Sequence, residues 1–129
     1  MFFDDRRTLR TINDAPQPEI LKIFFYLAFH QPQEGIRGYV IDKTQLNYDL
    51  NLSRTKFFNA LHWLKENTVV NELKMVGYSD FMVNPYIVMN NGDKDARIAE
   101  WNRRVHLEDA KIRKNRERRR REQLRKQNS

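Results

Sequence analysis

"LNLSRTKFFNALHWLKENTVVNELKMVGYSDFMVN", Leu50 to Asn84, decides the fold. Ser53 belongs to the residue types that cap helix N-termini, because its hydroxyl accepts from an otherwise unpaired backbone N–H. Behind it Phe57, Leu61 and Leu64 recur at i, i+4 and i+7, with Ala60 beside them. That spacing predicts a helix over "RTKFFNALHWLKEN" with one buried stripe. Thr68, Val69 and Val70 leave the helix, and "VVNELKMVG" and "FMVN" then read as two strands joined by a short turn at Gly77 to Asp80. Asp80 fits that turn as a turn-forming residue.

Upstream, "LNLS" makes a tight turn after a shorter helix that Asp42 can cap and that Thr44, Leu46, Tyr48 and Leu50 fill out. "YVI", residues 39–41, is a short β-like run, and "QPQEGIRG" before it is proline and glycine punctuation. Pro18 suits a first helical turn, where its missing N–H costs nothing. Ile20, Leu21, Phe24, Phe25, Leu27 and Ala28 follow at helical spacing, which predicts a mostly buried helix over residues 18–30. Residues 1–15 are polar and irregular.

Downstream, "FMVNPYIVM" places Asn84-Pro85 in the middle of an apolar run. Proline donates nothing to a sheet ladder, so it belongs where a strand ends or changes partner. Residues 81–84 are expected to pair with the outgoing strand, and the segment past Pro85 with residues 39–41. After Gly92, Ile98, Trp101, Val105 and Ile112 form a single helical seam, and from Arg113 to Lys126 only Leu124 is apolar. This predicts a helix that starts docked and ends as a charged rod or frays into disorder.

The order is helix, short strand, helix, turn, helix, strand, strand, helix. It predicts a mainly α chain with a small β-hairpin wing, that is, a winged helix-turn-helix followed by a long basic C-terminal helix. The expected division is a polar segment at 1–15, the winged helix-turn-helix at 16–92, and a basic, partly disordered helix or tail at 93–129.

Charge follows the same division. Residues 1–93 hold 10 Lys+Arg against 11 Asp+Glu, net −1, and residues 94–129 hold 14 against 6, net +8. A basic quarter on a near-neutral body favours an acidic partner, nucleic acid before an anionic surface. There is no cysteine, which excludes a disulfide scaffold and a thiolate metal site and suits a reducing compartment. The longest apolar run, residues 20–29, is interrupted by Lys22 and is far short of the ~20 residues of a membrane span. It also starts too far inside to be a signal peptide. The expectation is a soluble cytoplasmic protein with no membrane partner.

With its apolar stripe turned inward, the capped helix projects Arg54, Thr55, Phe58, Asn59 and His62 outward, candidates for base contacts in a major groove. Arg can bond guanine O6 and N7, Asn can bond adenine N6 and N7, and Thr or Phe can touch a thymine methyl. Candidates for phosphate contacts are Ser53 and Lys56 at the helix start, Lys43 on the preceding helix, and Lys74 and Tyr78 on the hairpin, whose tip is expected to carry Tyr78 and Ser79. The tail adds Arg113, Lys114, Arg116, Arg118, Arg119, Arg120 and Arg121, which supply affinity without base information. His30, His62 and His106 share no metal-ligand spacing, and four glycines form no phosphate loop. No catalytic residue, metal or cofactor is expected.

"TQLNYDLNLSRTKFFNALHWLKENTVV", followed by a hairpin that ends "FMVNPYIVM", resembles the RepL-type plasmid and phage replication proteins. The residues that carry the resemblance are Leu46, Leu50, Leu52, Ser53, Phe57, Leu61 and Leu64, then Asn84 and Pro85. It covers roughly residues 20–101 and is specific at "VNP". The arginine-rich tail is not part of that family's pattern. The resemblance implies a non-catalytic replication initiator that recognises its origin on double-stranded DNA and recruits host replication proteins. A winged-helix transcriptional regulator needs the same groove contacts. An RNA-binding or protein-recruiting adaptor acting through the tail is the reading from another class. A homodimer is compatible with all three.

Overall fold

The computed structural model describes residues 2–3, 16–89 and 93–128. Residues 4–15 of the polar segment and the boundary at Gly92 lie outside them. The elements are β1 (Phe2–Phe3), α1 (Pro18–Phe29), β2 (Tyr39–Ile41), α2 (Lys43–Leu50), α3 (Arg54–Glu66), β3 (Val70–Lys74), β4 (Ser79–Val83), β5 (Val88–Met89) and α4 (Lys94–Gln127). Helices dominate, beside a small antiparallel sheet of order β2-β4-β3 and a two-stranded β1-β5 pair.

Local chemistry sets the helix starts. Pro18 opens α1. Asp42 Oδ1 accepts from Thr44 N at 3.0 Å at the start of α2. Ser53 Oγ accepts from Lys56 N at 3.3 Å at the start of α3. One cluster forms the core: Ile20, Ile23, Phe24 and Leu27 of α1, Leu46 and Leu50 of α2, the α3 stripe, and Val70, Phe81 and Val83 of the sheet. The α1 face differs from the expected one. Ile23 is buried, whereas Phe25 is 45% exposed and Leu21 only half-buried. The buried set Ile20, Ile23, Phe24, Leu27 and Ala28 is a regular i, i+3, i+4, i+7, i+8 stripe, narrower than a nearly continuous apolar run suggests.

The hairpin is tighter than expected. Met75 N donates to Tyr78 O at 2.9 Å, so the turn is centred on Val76 and Gly77, and Gly77 takes φ +81°, a conformation that costs a side chain. Ser79 and Asp80 are therefore not tip or turn residues. They belong to β4 and are buried, Ser79 opposite Ile41 and Lys74, Asp80 opposite Val40 and Leu73.

Residues 39–41 pair with Ser79–Phe81 on the far side of β4, not with the segment beyond Pro85. Gly38 permits this approach, because a Cβ there would collide with the Phe81 carbonyl. The strand partner does change at Pro85, as the sequence suggests, but to a different one: β5 pairs with β1 (Phe2↔Met89, Phe3↔Val88) inside the segment expected to be irregular. Asn84 shapes the change. Its N donates to Val69 O, its Nδ2 donates to Thr68 O, and its Oδ1 accepts from Tyr86 N, each at 2.9 Å. Thr68, held at φ +57°, is fixed from the other side by this amide.

Side chains alternate across the sheet. Phe81, Val83 and Val70 face the helical core, which leaves Asp80 and Met82 on the opposite face. The first half of α4 meets that opposite face. Trp101 is buried there, 3% exposed, and two buried arginines carry the polar contacts. Arg104 Nη1 donates to Asp80 Oδ1 at 3.0 Å and its Nε to Glu100 Oε1 at 2.9 Å. Arg97 donates to Gly35 O, Arg37 O and Gln31 Oε1. Gln31 is itself built into the sheet: its Nε2 donates to Phe81 O, and its Oε1 accepts from Val83 N. Of the expected seam, Trp101 is buried, Ile98 and Val105 are half-buried, and Ile112 is 42% exposed. From Lys111 to Asn128 every residue is exposed.

Candidate nucleic-acid interface

The α3 stripe Phe57, Ala60, Leu61 and Leu64 is buried, so the opposite face is exposed by default. Ser53, Arg54, Thr55, Lys56, Phe58, Asn59 and His62 are all exposed. The Phe58 ring meets the Phe57 ring edge-on, with centroids 5.4 Å apart. Lys43 Nζ lies 5.9 Å and Arg54 Cζ 5.7 Å from its centroid. Lys43, Arg54 and Phe58, separate in the sequence, thus form one cation–aromatic cluster at the start of α3, and the ring restrains Arg54 without occupying its N–H donors.

Three of the candidate residues already have carboxylate neighbours. Lys43 Nζ is 3.1 Å from Glu72 Oε2 and half-buried. Lys56 Nζ is 3.8 Å from Glu19 Oε1, and His62 Nε2 is 2.9 Å from Glu66 Oε1. Lys56 and His62 lie on open surface, where such pairs are weak and exchange readily. Lys43 is different, because Glu72 is fully buried.

The Glu72 carboxylate is one feature that sequence reading missed. It receives Ser79 Oγ at 2.6 Å, Lys65 Nζ at 3.0 Å and Lys43 Nζ at 3.1 Å. Burial pushes its pKa up, but the Ser79 hydroxyl and the Lys65 and Lys43 ammonium groups outweigh this and hold it below the usual carboxylate range. It joins the start of α2, the end of α3 and both hairpin strands at one point. No periodic signal marks it, since its partners lie 7 residues away on either side and farther back at Lys43.

Lys74 is exposed at the end of β3, and Tyr78 is 43% exposed beside the turn. Arg113, Lys114, Arg116 and Arg118 to Arg121 are exposed on the free part of α4. At the root of α4, hydrogen bonds from Arg103, then Arg104, hold the Glu100 carboxyl low against its partial burial. Sequence reading missed Arg97, Glu100 and Arg104, although their i, i+3, i+7 spacing puts them on the face that carries Trp101.

Among the described residues no group of three His, Asp or Glu side chains is placed to hold a metal ion, and no helix is long and apolar enough to cross a membrane. The chemistry that α3 offers is hydrogen-bond donation, one aromatic surface and positive charge. Compared with family models, with curated proteins and with solved structures, the chain has no match.

Proposed function

We propose that the chain is a winged helix-turn-helix protein that binds double-stranded DNA, with α3 as the reading helix and the β3–β4 hairpin as the wing. The observation that carries this reading is the start of α3, where a Ser-capped turn exposes Arg54, Thr55, Phe58 and Asn59 together and Arg54 is steadied by the Phe58 ring. A helix N-terminus of this kind enters the major groove, where Arg and Asn each make two-bond contacts to one base. The element order α1-β2-α2-α3-β3-β4 and the sheet order β2-β4-β3 support the fold part of the reading. The resemblance to RepL-type proteins at "FMVNP" supports a place in plasmid or phage replication initiation in the cytoplasm, without catalysis and alongside host replication proteins.

The test is selection of a binding site from a random duplex library, followed by footprinting of Arg54→Ala and Asn59→Ala. Each substitution is expected to relax one base position at a cost of ~1–3 kcal/mol. Phe58→Ala is expected to weaken binding by freeing Arg54. An unchanged footprint for the double variant Arg54→Ala/Asn59→Ala refutes the assignment of α3.

A further inference from the structure

The free part of α4 runs from Ala110 to Gln127, about 27 Å at 1.5 Å per residue. It carries ten Lys+Arg against two Glu, net +8. Its cations are not placed at random. At about 100° per residue, Lys111, Lys114, Arg118, Arg121 and Arg125 fall at i, i+3, i+7, i+10 and i+14, a straight stripe within an arc of roughly 80°. Four of these five line one shallow depression together with Glu117 and Glu122. Arg113, Arg116 and Arg120 form a second stripe, its centre about 150° around the helix from the first. Midway between the stripes on one side lie Arg119 and Lys126, on the face that continues Trp101. Midway on the other side lie Glu117 and Leu124.

We infer that this rod is a second DNA-binding element that lies lengthwise in a major groove, its two basic stripes on the two phosphate walls, its Arg119 face toward the floor and its Glu117–Leu124 face toward solvent. The inference rests on the duplex-DNA reading above. A flat acidic protein or a membrane surface touches one side of a helix, whereas this rod is basic on two nearly opposite sides. A membrane helix also needs an apolar face, and here only Ala110, Ile112 and Leu124 are apolar. A second copy of the rod is repelled, since the first stripe occupies coiled-coil seam positions with cations. A B-form major groove, about 12 Å wide, admits a helix about 10–12 Å across, while the A-form major groove is too narrow. Because the floor face continues the Trp101 face, the duplex lies on the side of the rod where the core lies.

The test is the salt dependence of binding to a random-sequence duplex of about two turns (~20 bp), with circular dichroism to show that each variant keeps α4. Replacing the first stripe with Gln is expected to flatten the slope of log K against log salt by about 4–5, and the second by about 3. Glu117→Arg, which adds charge on the outward face, is expected to leave the slope unchanged. Dependence on one stripe alone overturns the two-wall geometry. A slope that follows net charge wherever it is placed, Glu117→Arg included, shows a non-specific polycation and overturns the groove. Equal or tighter binding of an RNA duplex of the same length also overturns it. A base preference lost with the α3 variants but kept in the stripe variants separates the two readings, so either can fail alone.

Discussion

Glu72→Gln is the most informative perturbation of the body. The wild-type side chain is fully buried and accepts from Ser79, Lys65 and Lys43 at 2.6, 3.0 and 3.1 Å. Gln keeps the shape and one acceptor but turns an NH2 group toward at least one ammonium. Hydrogen bonds to a charged group contribute about 1.5–3 kcal/mol each, and they do not add when they share one acceptor group. The lysines are each about one-third exposed, with side chains at 29% and 33%, so both can turn to water once released. The expected loss is therefore about 2–3 kcal/mol, not the sum of three bonds. In urea, with a slope of about 1–3 kcal/mol per molar, the midpoint should fall by roughly 1–3 M. The pH dependence is the sharper measurement. The folded carboxyl lies below its ordinary value of 4.5, so its contribution is fully present above that value and is lost as pH falls through the folded one. The difference between wild type and Glu72→Gln should be largest near neutrality and should shrink below about pH 4.5, down to the lowest pH that still gives a cooperative transition. A difference that stays constant over that range would mean that the loss does not depend on the carboxylate charge, and the ionic account of this joint would be wrong.

Two further changes address the attachment of α4 and the Asn-Pro step. Arg104→Met leaves Asp80 buried without its cation and should cost about 3–5 kcal/mol in chemical denaturation, while Asp80→Leu combined with Arg104→Met should recover part of that; equal loss in the single and double variants would contradict an ion-pair origin. Asn84→Ala removes the bonds to Thr68 O and Tyr86 N and should cost about 1–2 kcal/mol, more than Pro85→Ala, whose effect is chiefly on the unfolded chain at under about 1 kcal/mol; the reverse order in thermal melts would show that the proline carries the turn.

The three short helices were legible because capping and apolar spacing are local signals: Asp42, Ser53 and the Phe57–Leu61–Leu64 stripe all lie within one turn or two of what they specify. The phase of α1 was less so. In "ILKIFFYLAF" almost every position is apolar, so the sequence allows more than one inward face, and packing selects Ile23 over Phe25. Asp80 was misread because its partners, Gly38 and Arg104, are 42 and 24 residues away, and beside Gly77 and Ser79 an Asp has the local signature of a turn. The pairing of β5 with Phe2–Phe3 was hidden for the opposite reason, since a two-residue strand is too short to carry an alternating pattern. At the candidate site the exposed face of α3 followed directly from its buried stripe. The Phe58 cluster and the Glu72 joint did not, because both depend on where α2 sits against the hairpin.

Gln31 has a consequence for what the sheet can join. β2 is three residues long, while β4 is five, so the last part of β4 outruns its neighbour. There the Gln31 amide stands in for a peptide group: Phe81 O and Val83 N bond to it as they would to a strand. Arg97 then bonds to the same Gln31 oxygen, so the first turns of α4 hold this substitute peptide in place. An extended chain that tried to lengthen the sheet on this side would find a ladder already terminated by a side chain. Growth there must first displace Gln31 from Phe81 and Val83 and break its bond to Arg97.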